Sequence, residues 1–130
     1  MSNKNLLPIL GATNAIGSFV AYIDGKKFLE SSSFEFHDTS REYVIAGNDH
    51  NKNWVVFTVP NSLEVEKPHT VQVYPGFTAW NVLHNDISSD VESGSATVTL
   101  VRNRQSVSGT VDFILPDGSN VTGEFAISRH

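Results

Sequence analysis

From Ser18 onward the chain alternates apolar and polar residues with a period of two, the pattern of strands that bury one face and wet the other. Phe19, Ala21 and Ile23 alternate with Ser18, Val20 and Tyr22. Asp24-Gly25 then supplies a tight turn into Lys26, Lys27, Phe28 and Leu29, so a hairpin begins the domain. Phe34 and Phe36 alternate with Ser33, Glu35 and His37, and Tyr43 to Ala46 form a second β-prone run closed by Gly47, Asn48 and Asp49. The stretch from Trp54 to Val59 is almost continuously apolar and ends at Pro60, which predicts a strand covered on both faces or lying at the centre of a sheet. His69 to Tyr74 alternates again, with Val71 and Val73 on one face, and Pro75-Gly76 turns the chain into Phe77 to Leu83.

The last third carries the longest alternation. Ala96, Val98 and Leu100 share a face opposite Ser95, Thr97 and Thr99, and Arg102 to Arg104 make a turn. Val107, Gly109, Val111, Phe113 and Leu115 then oppose Ser106, Ser108, Thr110, Asp112 and Ile114. After a second turn at Pro116, Asp117 and Gly118, Val121, Gly123, Phe125 and Ile127 complete a meander. Val111, Phe113 and Phe125 are expected to point inward together, with Gly109 and Gly123 admitting close packing from an opposite sheet. No segment longer than about ten residues keeps a helical period free of Gly, Pro or β-branched interruption. The prediction is therefore an all-β, antiparallel β-sandwich of about 8–10 short strands ending in a meander. A small closed, lipocalin-like β-barrel is the alternative. Residues 1–16 lack either period and are expected to form an arm ahead of a single domain over 17–130.

A chain of 130 residues fits one such domain, which buries roughly two-thirds of the surface exposed by its unfolded form. Eight Phe, two Trp and three Tyr provide the apolar material. The complete lack of cysteine excludes disulfides and thiolate metal sites. Nine Lys and Arg against 14 Asp and Glu give a net charge of −5, which repels polyanions and makes nucleic acid a poor partner. Leu6, Leu7, Ile9 and Leu10 are broken by Pro8 and Gly11, too short a run for a membrane span and a poor signal peptide despite Ala12 and Ala15. The expected location is cytoplasmic, or exported without a recognisable Sec signal.

Three stretches carry a resemblance: Ala21-Tyr22-Ile23-Asp24-Gly25-Lys26-Lys27-Phe28, Ser93-Gly94-Ser95-Ala96-Thr97-Val98-Thr99, and Val107-Ser108-Gly109-Thr110-Val111-Asp112-Phe113 leading to Val121-Thr122-Gly123-Glu124-Phe125. In this order they are similar to small β-sandwich domains of unknown function found in bacterial envelope proteins and lipoproteins. The resemblance implies a β-sandwich and transfers no catalytic residues. The chain has no cysteine to serve as a lipobox.

Nucleotide-binding glycine loops, a His-Glu-x-x-His motif and a Gly-x-Ser-x-Gly elbow are all missing, so no catalytic residue and no cofactor is predicted. His37, His50, His69, His84 and His130 show no metal-ligand spacing. Asp86, Asp90 and Glu92 could gather oxygen ligands for a cation, but a solvated acidic loop between strands is the better reading. Asn120-Val121-Thr122 matches a glycosylation acceptor, but it follows a turn in a chain without a convincing secretory signal, and it is read as coincidence.

Tyr74, Phe77, Trp80 and Asn81 place three aromatics and an amide around a turn, an arrangement that stacks on sugars or apolar partners. Burial in the core is the favoured alternative for the aromatics. The expected function is a non-enzymatic binding or interaction module with a protein or glycan partner. A small apolar-ligand carrier with a barrel cavity comes second, and a hydrolase with an active site outside known motifs third. Sparse charge on the Ser- and Thr-rich strands makes a homodimer plausible.

Overall fold

The computed structural model describes residues 15–31, 33–50, 53–73 and 80–129. Within them lie eleven strands and no helix: β1 (Ile16–Ile23), β2 (Lys26–Glu30), β3 (Ser33–Asp38), β4 (Glu42–Asn48), β5 (Trp54–Pro60), β6 (Pro68–Gln72), β7 (Asn81–His84), β8 (Ile87–Asp90), β9 (Ser93–Val101), β10 (Ser106–Ile114) and β11 (Asn120–Ser128). They form a six-stranded sheet in the order β2-β1-β11-β10-β9-β6 and a five-stranded sheet in the order β3-β4-β5-β7-β8. Every pairing is antiparallel, and the two sheets pack face to face as a β-sandwich. Neither sheet closes on itself among the described residues, so the lipocalin-like barrel is not formed. Among the described residues no helix is long and apolar enough to cross a membrane.

Local chemistry sets the turns. Asp24 and Gly25, at φ 49° and 85°, make the two-residue hairpin between β1 and β2, because two successive left-handed residues match the twist of the flanking strands. The β9–β10 connection holds Arg102, Asn103 and Arg104 at φ 55°, 54° and 69°. The meander β9–β10–β11 follows the expected alternation: Val111, Phe113 and Phe125 are buried inward, while Thr110 and Glu124, paired in register, are exposed.

The expected arm of residues 1–16 lies almost wholly outside the described residues, and the first strand already begins at Ile16. The strand count exceeds the expected range because residues 87–90, read as part of an acidic loop, form β8. Ile87 and Val91 are the only large apolar side chains between His84 and Ala96, so no two-residue period marks this strand in the sequence.

The core is aromatic at its centre. Phe57 of the five-stranded sheet meets Phe113 and Phe125 of the opposite sheet edge-on, at centroid distances of 6.1 and 5.5 Å, and Trp80 lies 5.2 Å from Phe113. Edge-to-face contacts of this kind bring the positive ring edge onto a negative ring face.

The expectation that Gly109 and Gly123 make room for the opposite sheet is corrected. A Cβ at Gly109 would collide with the Thr97 carbonyl, and one at Gly123 would sit 2.7 Å from the Val20 carbonyl oxygen, both belonging to neighbouring strands of the same sheet. Inter-sheet approach is close instead at Gly47, where a Cβ would lie 2.7 Å from the Cβ of Phe19 across the gap. At the end remote from the β1–β2 turn, the Arg129 guanidinium donates to the carbonyls of Phe36 (3.4 Å) and Arg104 (2.9 Å) and covers the Phe36 ring at 4.6 Å. It thereby ties the two sheets together.

Candidate functional site

Trp80 and Asn81 are successive residues, and successive residues at a strand point to opposite faces. Trp80 is 2% exposed, its indole pressed between Phe57 and Phe113 and its Nε1–H donated to the Thr58 carbonyl at 3.1 Å. No face of this ring is available for stacking. Asn81 lies on the outer side of the five-stranded sheet, where its Oδ1 accepts from Trp54 Nε1 (3.0 Å) and Ser88 Oγ (3.2 Å) and its Nδ2 donates to Asp90 Oδ1 (3.0 Å). Those bonds make it a cross-strand tie, and the two residues do not share a binding surface. Tyr74 and Phe77 lie outside the described residues.

The acidic group is also separated. Asp86 sits in the β7–β8 turn and Asp90 at the far end of β8, about 13 Å along the strand at a rise of about 3.3 Å per residue, too far to share one ion. Glu92 follows β8, with its N–H bonded to the Ile114 carbonyl. Among the described residues no three His, Cys, Asp or Glu side chains converge.

Two further pairs join residues distant from the motifs. Ser33 Oγ hydrogen-bonds His50 Nε2 in an exposed position beside the β4–β5 connection, which is one half of a nucleophile–base–orienter arrangement. Glu35, on an edge strand, is fully buried; its Oε1 bonds His37 Nδ1 at 2.8 Å, and its Oε2 has no partner. Neither pair lines a described cleft.

A cleft of about 110 Å³ opens at the end of the sandwich that carries the β1–β2, β7–β8 and β10–β11 turns. Ile23, Val82, Ile87 and Leu115 give it apolar walls, and Ser89, His84, Asp117 and Ser119 supply its polar groups. The local sequence explains its shape. Asn85 and Asp86, at φ 52° and 68°, form a two-residue hairpin that lays β8 against β7 as the outer strand of the five-stranded sheet. Ile87 is therefore 68% exposed although it lies on the inward-facing side of its strand, opposite His84.

The His84 ring meets Phe28 edge-on at 5.1 Å, and its Nε2 lies 3.3 Å from Asn85 Nδ2. The His84 Nδ1 atom is buried and has no hydrogen-bond partner. A polar group left unpaired in this way costs about 1–3 kcal/mol. At the rim, the Ser119 hydroxyl and the Ser119 N–H (2.8 Å) bond the Asp117 carboxylate and hold it below the ordinary aspartate range, so it is ionised at neutral pH.

None of the cleft residues is assigned to a site by the sequence: His84 shows no metal-ligand spacing, and Ile23, Leu115 and Asp117 read only as strand and turn residues. The dipeptide Asn85-Asp86 between His84 and Ile87 was the signal that could have exposed the hairpin, and with it the edge. Comparison with known proteins returns nothing: no family model, no curated protein and no solved structure matches the chain.

Proposed function

We propose that this domain is a non-enzymatic binding module that engages a protein partner at the cleft between β8 and the β10–β11 turn. The observation that carries the reading is the apolar wall of that cleft combined with Ile87, a large hydrophobic side chain left 68% exposed at its mouth. A cavity of roughly 150 Å³ accommodates one benzene ring, so a cleft of 110 Å³ fits about one aliphatic side chain. Small-molecule sites run to roughly 300–1,000 Å³, a scale that disfavours a carrier at this cleft. A glycan partner is disfavoured because Trp80 gives up both faces of its ring to the core.

The test is a selection from a random displayed-peptide library, with a glycan array in parallel, on wild type and Ile87→Asp. The substituted side chain is exposed, so the variant should fold. Peptides enriched on wild type that bind Ile87→Asp at least about tenfold more weakly are the expected result, the scale of losing one central apolar anchor. No enrichment, equal binding to both proteins, or binding of glycans alone would overturn it.

A further inference from the structure

Resting on that reading, we infer that β8 takes up an extended polypeptide segment as an added strand of the five-stranded sheet, with an aliphatic side chain of the segment in the cleft and a Lys or Arg facing Asp117. The two sheets present four outer strands among the described residues, namely β2, β6, β3 and β8. An outer strand exposes a row of unpaired N–H and C=O groups, and proteins blunt such rows with lysine, proline or charge. Three of the four are blunted. β2 carries Lys26, Lys27 and Glu30; β6 opens with Pro68; β3 carries Glu35, His37 and Asp38. β8 runs Ile87-Ser88-Ser89 without charge or proline until Asp90, and among the described residues no strand pairs with its outer side. The unblunted edge and the apolar cleft coincide, since Ile87 and Ser89 belong to both. That coincidence is what strand addition requires: main-chain bonds supply affinity, and a pocket for an alternate side chain supplies selectivity.

Charge decides the occupant. Asp117 is ionised at the rim, Asp24 is tied to the end of the same turn with its Oδ1 accepting the Asn120 N–H at 3.0 Å, and Asp86 precedes Ile87 in the hairpin. Among the described residues, the β1–β2 hairpin at this end carries Lys26 and Lys27, and Lys27 is bonded to Glu30 at 3.1 Å. A second copy of this chain, with its net charge of −5, would bring the same acidic rim against itself. A segment alternating aliphatic with basic residues meets both the pocket and the field.

The experiment titrates the full-length chain, isotopically labelled for NMR, with an eight-residue synthetic peptide alternating Lys and Val. The controls are the same peptide N-methylated at alternate residues and its Glu-for-Lys counterpart. Binding should perturb the amides of β8 and the β10–β11 turn. It should weaken at least about tenfold on N-methylation, which removes two or more main-chain donors. It should weaken about two- to fivefold with Asp117→Asn, the range for one exposed charge pair. The acidic peptide should not bind there.

Equal binding of the N-methylated peptide would overturn strand addition while leaving the protein-binding cleft standing. Failure of every peptide here, together with an empty library selection, would overturn both readings. A concentration-dependent dimer converted to monomer by Ile87→Asp would assign the edge to a second copy and overturn the choice of occupant.

Discussion

Truncating Phe113 to alanine measures how much of the core the meander holds in place. The side chain is fully buried, with Trp80 at 5.2 Å and Phe57 at 6.1 Å. Phe→Ala changes in cores cost about 3–5 kcal/mol, combining the lost transfer energy with that of the cavity left behind. The space vacated by Phe113 is walled by aromatics on β5 and beside β7, whose backbones are held in sheet ladders, so it cannot collapse. The loss of two aromatic contacts, each about 0.5–1.5 kcal/mol, adds to the same side, and about 4–5 kcal/mol is expected.

Thr110, one residue from Val111 on the same strand, points to solvent between Thr97 and Glu124. Its replacement by alanine removes only cross-strand contacts, for which about 0.2–1 kcal/mol is expected. Urea unfolding of the two variants against wild type gives both numbers. In thermal melts, at about 3–4 °C per kcal/mol for a chain of this size, Phe113→Ala should lower the midpoint by roughly 12–20 °C. Equal losses at Phe113 and Thr110 would refute the inward register of the meander.

Gly47→Ala should destabilise by about 1–3 kcal/mol in the same assay, because its Cβ would collide with Ser31 Oγ and, on the opposite sheet, with Phe19 Cβ and Cγ; an unchanged stability would contradict this. His37→Ala leaves the buried Glu35 carboxylate without its bond and should cost roughly 1–3 kcal/mol. The double variant Glu35→Leu/His37→Ala removes the buried, unpartnered polar group and should be more stable than His37→Ala alone; a double variant no better than the single would contradict this. Asp117 has its folded-state pKa lowered by Ser119, so its contribution to stability is present above the ordinary value of 3.8 and is lost as pH falls below it through the lowered folded value. Acid titration of wild type and Asp117→Asn should therefore show curves that converge below pH 3.8, and a difference that persists or grows there would contradict the assignment.

Which residues face the core was legible in the sequence wherever a two-residue period ran long enough. Ala96 to Leu100, Val107 to Phe113 and Val121 to Ile127 form strands on that period, and Trp54 to Val59 lies at the centre of its sheet, as its unbroken apolar run required. The period is a local property, enforced by the alternating direction of side chains along a strand. Pairing between distant strands is not local. Nothing in Ile16 to Ile23 says that its neighbour is Asn120 to Ser128, and that pairing is what brings Ile23 beside the β10–β11 turn. β8 escaped notice because half of its side chains are serines and only Ile87 is apolar, so no alternation distinguishes it from a loop. Trp80 carried the same ambiguity in the opposite sense: an aromatic at a strand end suits a core and a binding face equally. Here the position of Phe57 and Phe113 on two different sheets decided it. The candidate site is the extreme case, since its walls come from β1, β7, β8 and the β10–β11 turn. Its apolar walls come together only through the packing of two sheets, which no single stretch of sequence encodes.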